Sequence, residues 1–120
     1  MYTAYVLSSE DRDRVLSLYP PLYPNVKAHH VTVQYGVPKD APLPPPANLT
    51  IIGHKVGPGI QACVVRVGDE IYRPSGGIYH LTISHDDKHK PSDSNLLLAD
   101  GFVEDSYHID LKHVTPMLLR

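Results

Sequence analysis

The chain has 120 residues, a formal net charge of −2 at pH 7 and one cysteine. This length is typical of one domain with its own core, so we expect a single domain over residues 1–120. The slightly acidic charge excludes a general attraction to long nucleic acid, but a small phosphate ligand is compatible with it. With no disulfide framework, no apolar stretch of membrane-spanning length and no signal-peptide pattern, we expect a cytoplasmic monomer without a membrane partner.

A strand and a helix are predicted at the start of the chain. Residues 2–8 are rich in β-forming side chains, and Ser8 with Asp11 three residues later has the spacing of a capping box. The pair Pro20-Pro21 ends the predicted helix, because proline lacks a backbone donor and restricts the residue before it. The apolar stripe of this helix is formed by Val15, Leu16 and Tyr19.

The middle of the chain predicts a loop and a hairpin. Five of the ten residues 37–46 are proline, so this segment cannot take a central position in a sheet and is expected to be a loop. Two β-rich runs follow, over 48–56 and 60–67, and Gly57-Pro58-Gly59 between them is a hairpin signal.

The second half of the chain predicts strands and loops without a full helix. Residues 73–77 indicate a turn into a strand that starts near residue 79, residues 86–95 indicate a polar loop, and residues 101–112 indicate a last strand. The first half therefore runs strand, helix, strand, strand, and the second half runs strand, strand, strand. This order predicts an α+β domain of two related lobes.

Two short segments repeat the same pattern of side chains fifty residues apart. Residues 28–36 contain His30 and Thr32, and residues 79–84 contain His80 and Thr82. Side chains alternate between the faces of a strand, so each His and Thr share one face, about 6.6 Å apart along the strand. Apolar residues occupy the other face of each strand. The pattern predicts two strands whose buried faces support a polar cleft.

These segments resemble the active-site motifs of the two-histidine (2H) phosphoesterases, which include RNA-ligase-T-like enzymes and cyclic-nucleotide phosphodiesterases. The first segment, His30-Val31-Thr32-Val33-Gln34-Tyr35-Gly36, is similar in its His-x-Thr and in its closing aromatic and glycine. The second, Tyr79-His80-Leu81-Thr82-Ile83, has an aromatic residue just before the histidine. The resemblance implies a compact two-lobed fold with antiparallel sheets about a pseudo-two-fold axis. The second lobe is expected to be poor in helix and its cleft open, because the interval from Val67 to Tyr79 is short.

The resemblance also implies an activity. Cleaving a phosphodiester in line needs a base and an acid, and histidine can serve as either near neutral pH. His30 and His80 would divide these roles, while Thr32 and Thr82 would stabilise charge on the phosphate. No metal ion and no other cofactor is implied. The implied substrate is a cyclic phosphate of RNA or of a nucleotide, with RNA 2′,3′-cyclic phosphate ends as the first choice, and activity is expected to peak around neutral pH.

Other polar and aromatic residues have candidate or structural roles beside these four. Tyr5, Tyr35 and Tyr79 are candidates for stacking on a base of the substrate. Strand alternation places His29 on the face opposite His30, so His29 is left out of the predicted site. Surface or structural roles are expected for His54, His108, His113, Lys88 and Lys90.

Three alternatives stay open at this point. One is a hydrolase of cyclic oligonucleotides or other cyclic nucleotide signals, like the phage-encoded 2H enzymes that disarm bacterial immune signalling. Another is a non-catalytic protein that only binds a nucleotide in the same cleft. The last is a metal-dependent hydrolase, which strand geometry disfavours because residues five apart in a strand point to opposite faces. Its candidate ligands are His80, His85, Asp86 and His89.

Overall fold

The computed structural model describes residues 1–120 as an α+β fold with two antiparallel sheets and few helices. The strands are β1 (Tyr2–Leu7), β2 (Asn25–Val26), β3 (His30–Tyr35), β4 (Leu49–Gly57), β5 (Ile60–Val67), β6 (His80–His85), β7 (Glu104–Leu111) and β8 (Val114–Leu119). The helices are α1 (Ser9–Leu18), α2 (Ser94–Ala99) and a 3₁₀ turn at Pro91–Asp93. Three strands form one sheet in the order β3-β1-β8, and five form the other in the order β2-β6-β5-β4-β7. Neither helix has the length and apolarity that crossing a membrane requires.

The N-terminal strand and helix are confirmed. Ser8 is the N-cap of α1, and its hydroxyl accepts a hydrogen bond from the backbone N–H of Asp11 at 3.1 Å. Val15 is fully buried in the core, while Leu16 and Tyr19 pack against it. The helix ends at Leu18, just before the two prolines.

The predicted loop, hairpin and turn are also confirmed. Residues 37–46 contain neither helix nor strand, and β4 and β5 pair in antiparallel register around the Gly57-Pro58-Gly59 turn. Gly59 has a φ of +77°, a conformation that glycine adopts without the strain of a side chain. Residues 73–77 form the turn before β6, and no helix lies between Val67 and Tyr79.

One stretch of chain passes from the larger sheet to the smaller sheet at Ala28. Strand β2 pairs with β6, and the backbone N–H groups of Lys27 and Ala28 continue this pairing to the carbonyls of Ile83 and Thr82, both at 2.8 Å. The chain then turns at Ala28, whose φ is +50°, and enters β3, which pairs with β1. This crossing places the first His/Thr strand directly beside the second.

The C-terminal segment corrects the predicted last strand. That strand, expected over 101–112, is shorter and forms β7, and it is followed by β8, which was not predicted. Pro116 lies within β8 and weakens its strand pattern, but β8 pairs only with β1 and so occupies an edge, where proline is tolerated. The buried carboxylate of Asp11 accepts hydrogen bonds from the N–H groups of Lys112 and His113, at 3.1 and 2.5 Å, and fixes the turn between the two strands.

The predicted lobes corresponded to the first and second halves of the chain. The two observed sheets do not, because each contains strands from both halves. Strand β4 belongs to the larger sheet with β5, β6 and β7, while β8 returns from the C-terminus to pair with β1 in the smaller sheet. The predicted polar loop over 86–95 is also partly wrong, because its end forms the 3₁₀ turn and the first turn of α2. Six residues are too few for a helical period to stand out in the sequence.

The main hydrophobic core joins residues of both sheets. The apolar face of β3 contributes Val31 and Val33, and that of β6 contributes Leu81 and Ile83. These four side chains were predicted to be buried opposite the His/Thr faces, and all are buried. Burial of a Val, Leu or Ile side chain contributes about 1.5–3 kcal/mol, so the apolar faces hold both strands firmly beneath the polar ones.

Candidate active site

The first motif lies at the junction of the two sheets, on an edge strand of the smaller one. His30 is half-buried and Thr32 is buried, and both line the same cleft. The strand alternation that the sequence predicted is supported by pairing, since Val6 opposite His30 and Ala4 opposite Thr32 are two residues apart on β1. No protein side chain or backbone group is hydrogen-bonded to the Thr32 hydroxyl, in contrast to that of Thr82.

The second motif lies on β6, near the edge of the larger sheet. His80 and Thr82 are both buried, and each lines the cleft. The Nδ1 atom of His80 lies 2.8 Å from the carbonyl oxygen of Ile78, which can only accept, so a neutral His80 carries its proton on Nδ1. Its Nε2 atom is therefore free to take a proton from a ligand.

The Thr82 hydroxyl is held by two partners. Its Oγ1 atom donates to the carbonyl of Pro91 at 3.2 Å and lies 2.8 Å from the hydroxyl of Ser94, which is fully buried. Because Thr82 has one hydroxyl proton, Ser94 donates to Thr82 when Thr82 donates to Pro91. To donate to a ligand, Thr82 has to give up the Pro91 bond.

All four motif residues therefore meet in one cleft, which we call the histidine cleft. Its cavity volume is about 60 Å³, and the cleft is partly open to solvent. No carboxylate lines it. The lining residues are Lys27, His29, His30, Thr32, Tyr35, His80, Thr82 and Pro91.

The chain matches no protein-family model, no curated protein and no solved structure.

His29 belongs to the histidine cleft, which corrects its exclusion on strand alternation. The Nδ1 atoms of His29 and His30 lie 2.9 Å apart, and their rings meet nearly edge to face at 5.1 Å between centroids. Strand β3 begins at His30, and the left-handed turn at Ala28 precedes it, so the rule of alternating faces does not reach His29. A non-glycine residue in this conformation leaves no reliable signal in the sequence.

The three candidate tyrosines are divided by the structure. Tyr35 lines the histidine cleft and is 45% exposed, so its ring is accessible for stacking. A register shift between β1 and β3 leaves Val33 without a partner and turns Tyr35 to the side of His30 and Thr32.

Tyr5 and Tyr79 do not line the cleft, which corrects their predicted role. Tyr5 is 2% exposed and Tyr79 is 6% exposed, and both belong to the main core. The Tyr5 hydroxyl donates to the carbonyl of Pro45 at 2.6 Å and thereby anchors the proline-rich loop. A tyrosine in a strand can either pack in the core or stack on a base, and the sequence does not separate the two. Here both tyrosines pack in the core.

Tyr2 and Arg73 lie beside the cleft and were not predicted. The Tyr2 ring lies 5.4 Å from that of His30 and 5.6 Å from that of Tyr35. The guanidinium of Arg73 lies 5.3 Å from the centre of the Tyr35 ring, and it is only 8% exposed. Its Nε donates to the Gly76 carbonyl and its Nη2 to the Asn95 side-chain oxygen, both at 2.9 Å, while its buried Nη1 has no partner. No carboxylate forms a salt bridge with Arg73, so its positive charge lies behind the Tyr35 ring.

Both motif histidines are biased toward their neutral forms. Burial, followed by repulsion from protonated His29 and His80, lowers the pKa of His30 from 6.5 to about 4. Burial also lowers the pKa of His80 below 6.5; the hydrogen bond to the Ile78 carbonyl opposes this change, and the charge of Arg73 reinforces it. A bound phosphate would raise both pKa values, because an anion stabilises the imidazolium form.

These pKa shifts move the expected pH optimum from neutral to mildly acidic pH. If the two histidines act as base and acid, as the resemblance implies, the base must be neutral and the acid protonated, so kcat/KM should rise as His30, with a pKa of about 4, loses its proton. It should fall as His80 loses its proton, at a pH below 6.5. Rates measured on a 2′,3′-cyclic nucleotide across the acidic and neutral range check this. A rate that keeps rising beyond neutral pH would contradict it.

The candidate metal ligands are not gathered into one site. His80 lines the histidine cleft, whereas His85 at the other end of β6 does not. The Nδ1 atom of His85 lies 2.8 Å from the Asp86 carbonyl oxygen, and the Nδ1 atom of His89 lies 2.7 Å from the Asp86 carboxylate. No three His, Cys, Asp or Glu side chains in the chain are placed to hold a metal ion together.

Proposed function

We propose that this chain is a 2H-type phosphodiesterase that hydrolyses a cyclic phosphate of RNA or of a nucleotide without a metal ion. The observation that carries the proposal is the meeting of two histidines and two threonines, from separate His-x-Thr strands, in one cleft without a carboxylate. The proposal includes the finer fold relationship: two lobes related by a pseudo-two-fold axis, with the cleft between their His/Thr strands.

The proposed reaction needs two proton transfers. Water attacks the phosphorus atom, one histidine accepts the proton of that water, and the other donates a proton to the departing ribose oxygen. A new P–O bond to water forms as the P–O bond to the ribose oxygen breaks, which opens the ring and leaves a phosphomonoester. His30, with the lower pKa, suits the role of base, and His80 suits the role of acid.

The remaining cleft residues suit the other needs of this reaction. The free hydroxyl of Thr32 can donate to a non-bridging phosphate oxygen, and Thr82 can do so after exchanging its bond to Pro91. Lys27 and His29 supply positive charge or hydrogen-bond donors at the rim. Tyr35 offers an aromatic face to the base of the nucleotide.

The proposal is tested by incubating the purified protein with nucleoside 2′,3′-cyclic phosphates, RNA with a 2′,3′-cyclic phosphate end, and cyclic dinucleotides. Products are separated by chromatography, which also shows whether the 2′ or the 3′ oxygen leaves. Binding without turnover of any of these would replace the proposed enzyme with a nucleotide-binding protein that uses the same cleft.

Chelators should leave the activity unchanged. The proposed mechanism assigns both proton transfers and the charge stabilisation to side chains, so removal of divalent ions should not alter the rate. The measurement is kcat/KM before and after dialysis against EDTA, with a zinc-dependent phosphodiesterase as a positive control for chelation. Loss of activity that zinc or manganese restores would favour the metal-dependent alternative.

A further inference from the structure

The histidine cleft continues into a second hollow, which we call the outer groove. The outer groove has a cavity volume of about 500 Å³ and is more open to solvent than the cleft. It shares four lining residues with the histidine cleft, so the two hollows form one continuous channel. Its lining residues are Arg12, Val26, Lys27, His29, His30 and Pro91.

The outer groove concentrates positive charge in a chain whose net charge is negative. Arg12 and Lys27 line it, no carboxylate does, and neither cation takes part in a salt bridge. The Nε atom of Arg12 donates to the backbone carbonyl of Lys27 at 3.0 Å. This bond holds the Arg12 side chain, which projects from α1, against the segment between β2 and His30. Its two Nη groups remain available to a ligand.

We propose that the outer groove binds a second phosphate of the substrate, which makes the substrate an oligonucleotide of at least two nucleotides rather than a mononucleotide. This inference rests on the proposed function. With the scissile phosphate between His30 and His80, the neighbouring phosphodiester would lie along the channel near Lys27 and Arg12. Val26 and Pro91 provide apolar surface for the sugar of the intervening nucleoside. A mononucleoside cyclic phosphate in the histidine cleft can meet Lys27, which lines both hollows, but it has no second phosphate to meet Arg12.

The experiment compares kcat/KM on three substrates: a nucleoside 2′,3′-cyclic phosphate, a linear dinucleotide ending in the same cyclic phosphate, and a cyclic dinucleotide. The two dinucleotides distinguish an RNA end from a cyclic signal as the source of the second phosphate. At least one dinucleotide should be preferred over the mononucleotide by about tenfold or more, because a charge-assisted hydrogen bond contributes that much. This preference should weaken as salt increases.

Substitutions then assign the preference to the groove. Arg12→Gln should lower the ratio of dinucleotide to mononucleotide kcat/KM by about tenfold, and Arg12→Lys should keep part of the preference. Lys27 lines both hollows, so Lys27→Gln should lower kcat/KM on both substrates. Arg66→Gln is the matched control, since Arg66 lines a different hollow together with Asp69 and Asp110. Equal turnover of all three substrates, or an unchanged ratio in Arg12→Gln, would overturn the inference and leave the proposed function intact.

A binding measurement separates the inference from the proposed function. If the wild-type protein cleaves none of these substrates, the proposed function fails, and the groove is tested by titrating a linear dinucleotide with a terminal phosphate. Tighter binding of this ligand than of a mononucleotide, weakened about tenfold in Arg12→Gln but not in Arg66→Gln, would support the groove alone. Equal binding of both ligands would overturn it.

Discussion

Replacing either motif histidine by alanine should lower kcat/KM on a cyclic phosphate by about 10²–10⁴-fold, because each substitution removes one proton transfer. The double variant should be little worse than the worse single variant, since residues that act as one unit are strongly non-additive. Near wild-type rates in both His30→Ala and His80→Ala would show that the paired strands are a scaffold and not an active site.

Two controls protect this experiment from a folding artefact. His80→Asn retains a side-chain donor that can reach the Ile78 carbonyl, so it should preserve the local structure while removing the titrating group. His108→Ala removes an exposed imidazole on β7, outside the histidine cleft, and should leave the rate unchanged. Thermal unfolding of each variant shows whether a lost rate reflects lost chemistry or lost structure.

Substitution by valine should affect the rate similarly at the two threonines but the stability of the fold differently. Thr32→Val and Thr82→Val should each lower kcat by ten- to a thousand-fold, roughly the range for loss of one charge-stabilising donor. The Thr32 hydroxyl has no hydrogen-bond partner within the protein, so its substitution should leave the free energy of unfolding nearly unchanged. Thr82→Val should also destabilise the fold by about 1–3 kcal/mol, because the buried Ser94 hydroxyl and the Pro91 carbonyl lose their partner.

Serine variants are the matched controls for both positions. Thr32→Ser and Thr82→Ser keep the hydroxyl, so most of the activity lost in the valine variants should return. Urea unfolding gives the stability of each variant, and initial rates give its activity. Equal stability of Thr32→Val and Thr82→Val would contradict the role assigned to the Thr82 bonds, and an unchanged rate in both would contradict the role of the hydroxyls.

Most elements with a strong local signal were predictable. Ser8 caps α1, the glycine-proline-glycine turn joins β4 to β5, and the proline-rich loop stays outside the sheets, each for a reason contained within a few residues. The His/Thr strands were predictable for the same reason, since alternation of apolar and polar residues depends only on strand geometry. The four motif residues then meet in one cleft.

Tyr35 was predicted as a candidate, but the rest of the rim was not predictable, because it depends on departures from regular structure. Strand alternation alone would place Tyr35 opposite His30, and a bulge in β3 brings it to the cleft, while the turn at Ala28 brings His29 there. Arg73 is placed by a turn whose Ser75 hydroxyl donates to the Val33 carbonyl of the neighbouring strand at 3.2 Å. Such contacts join residues far apart in the chain, and no local pattern encodes them.

The sequence by itself determined which residues carry the candidate chemistry and which faces of their strands are buried. Only the tertiary structure decided which strands are neighbours, since β8 joins β1 from the far end of the chain and β4 joins the larger sheet. It also biased both motif histidines toward their neutral forms, because burial in the cleft lowers the pKa of His30 and His80. The physical reason is range: capping and alternation act over a few residues, whereas strand pairing and desolvation depend on atoms brought together by the whole fold.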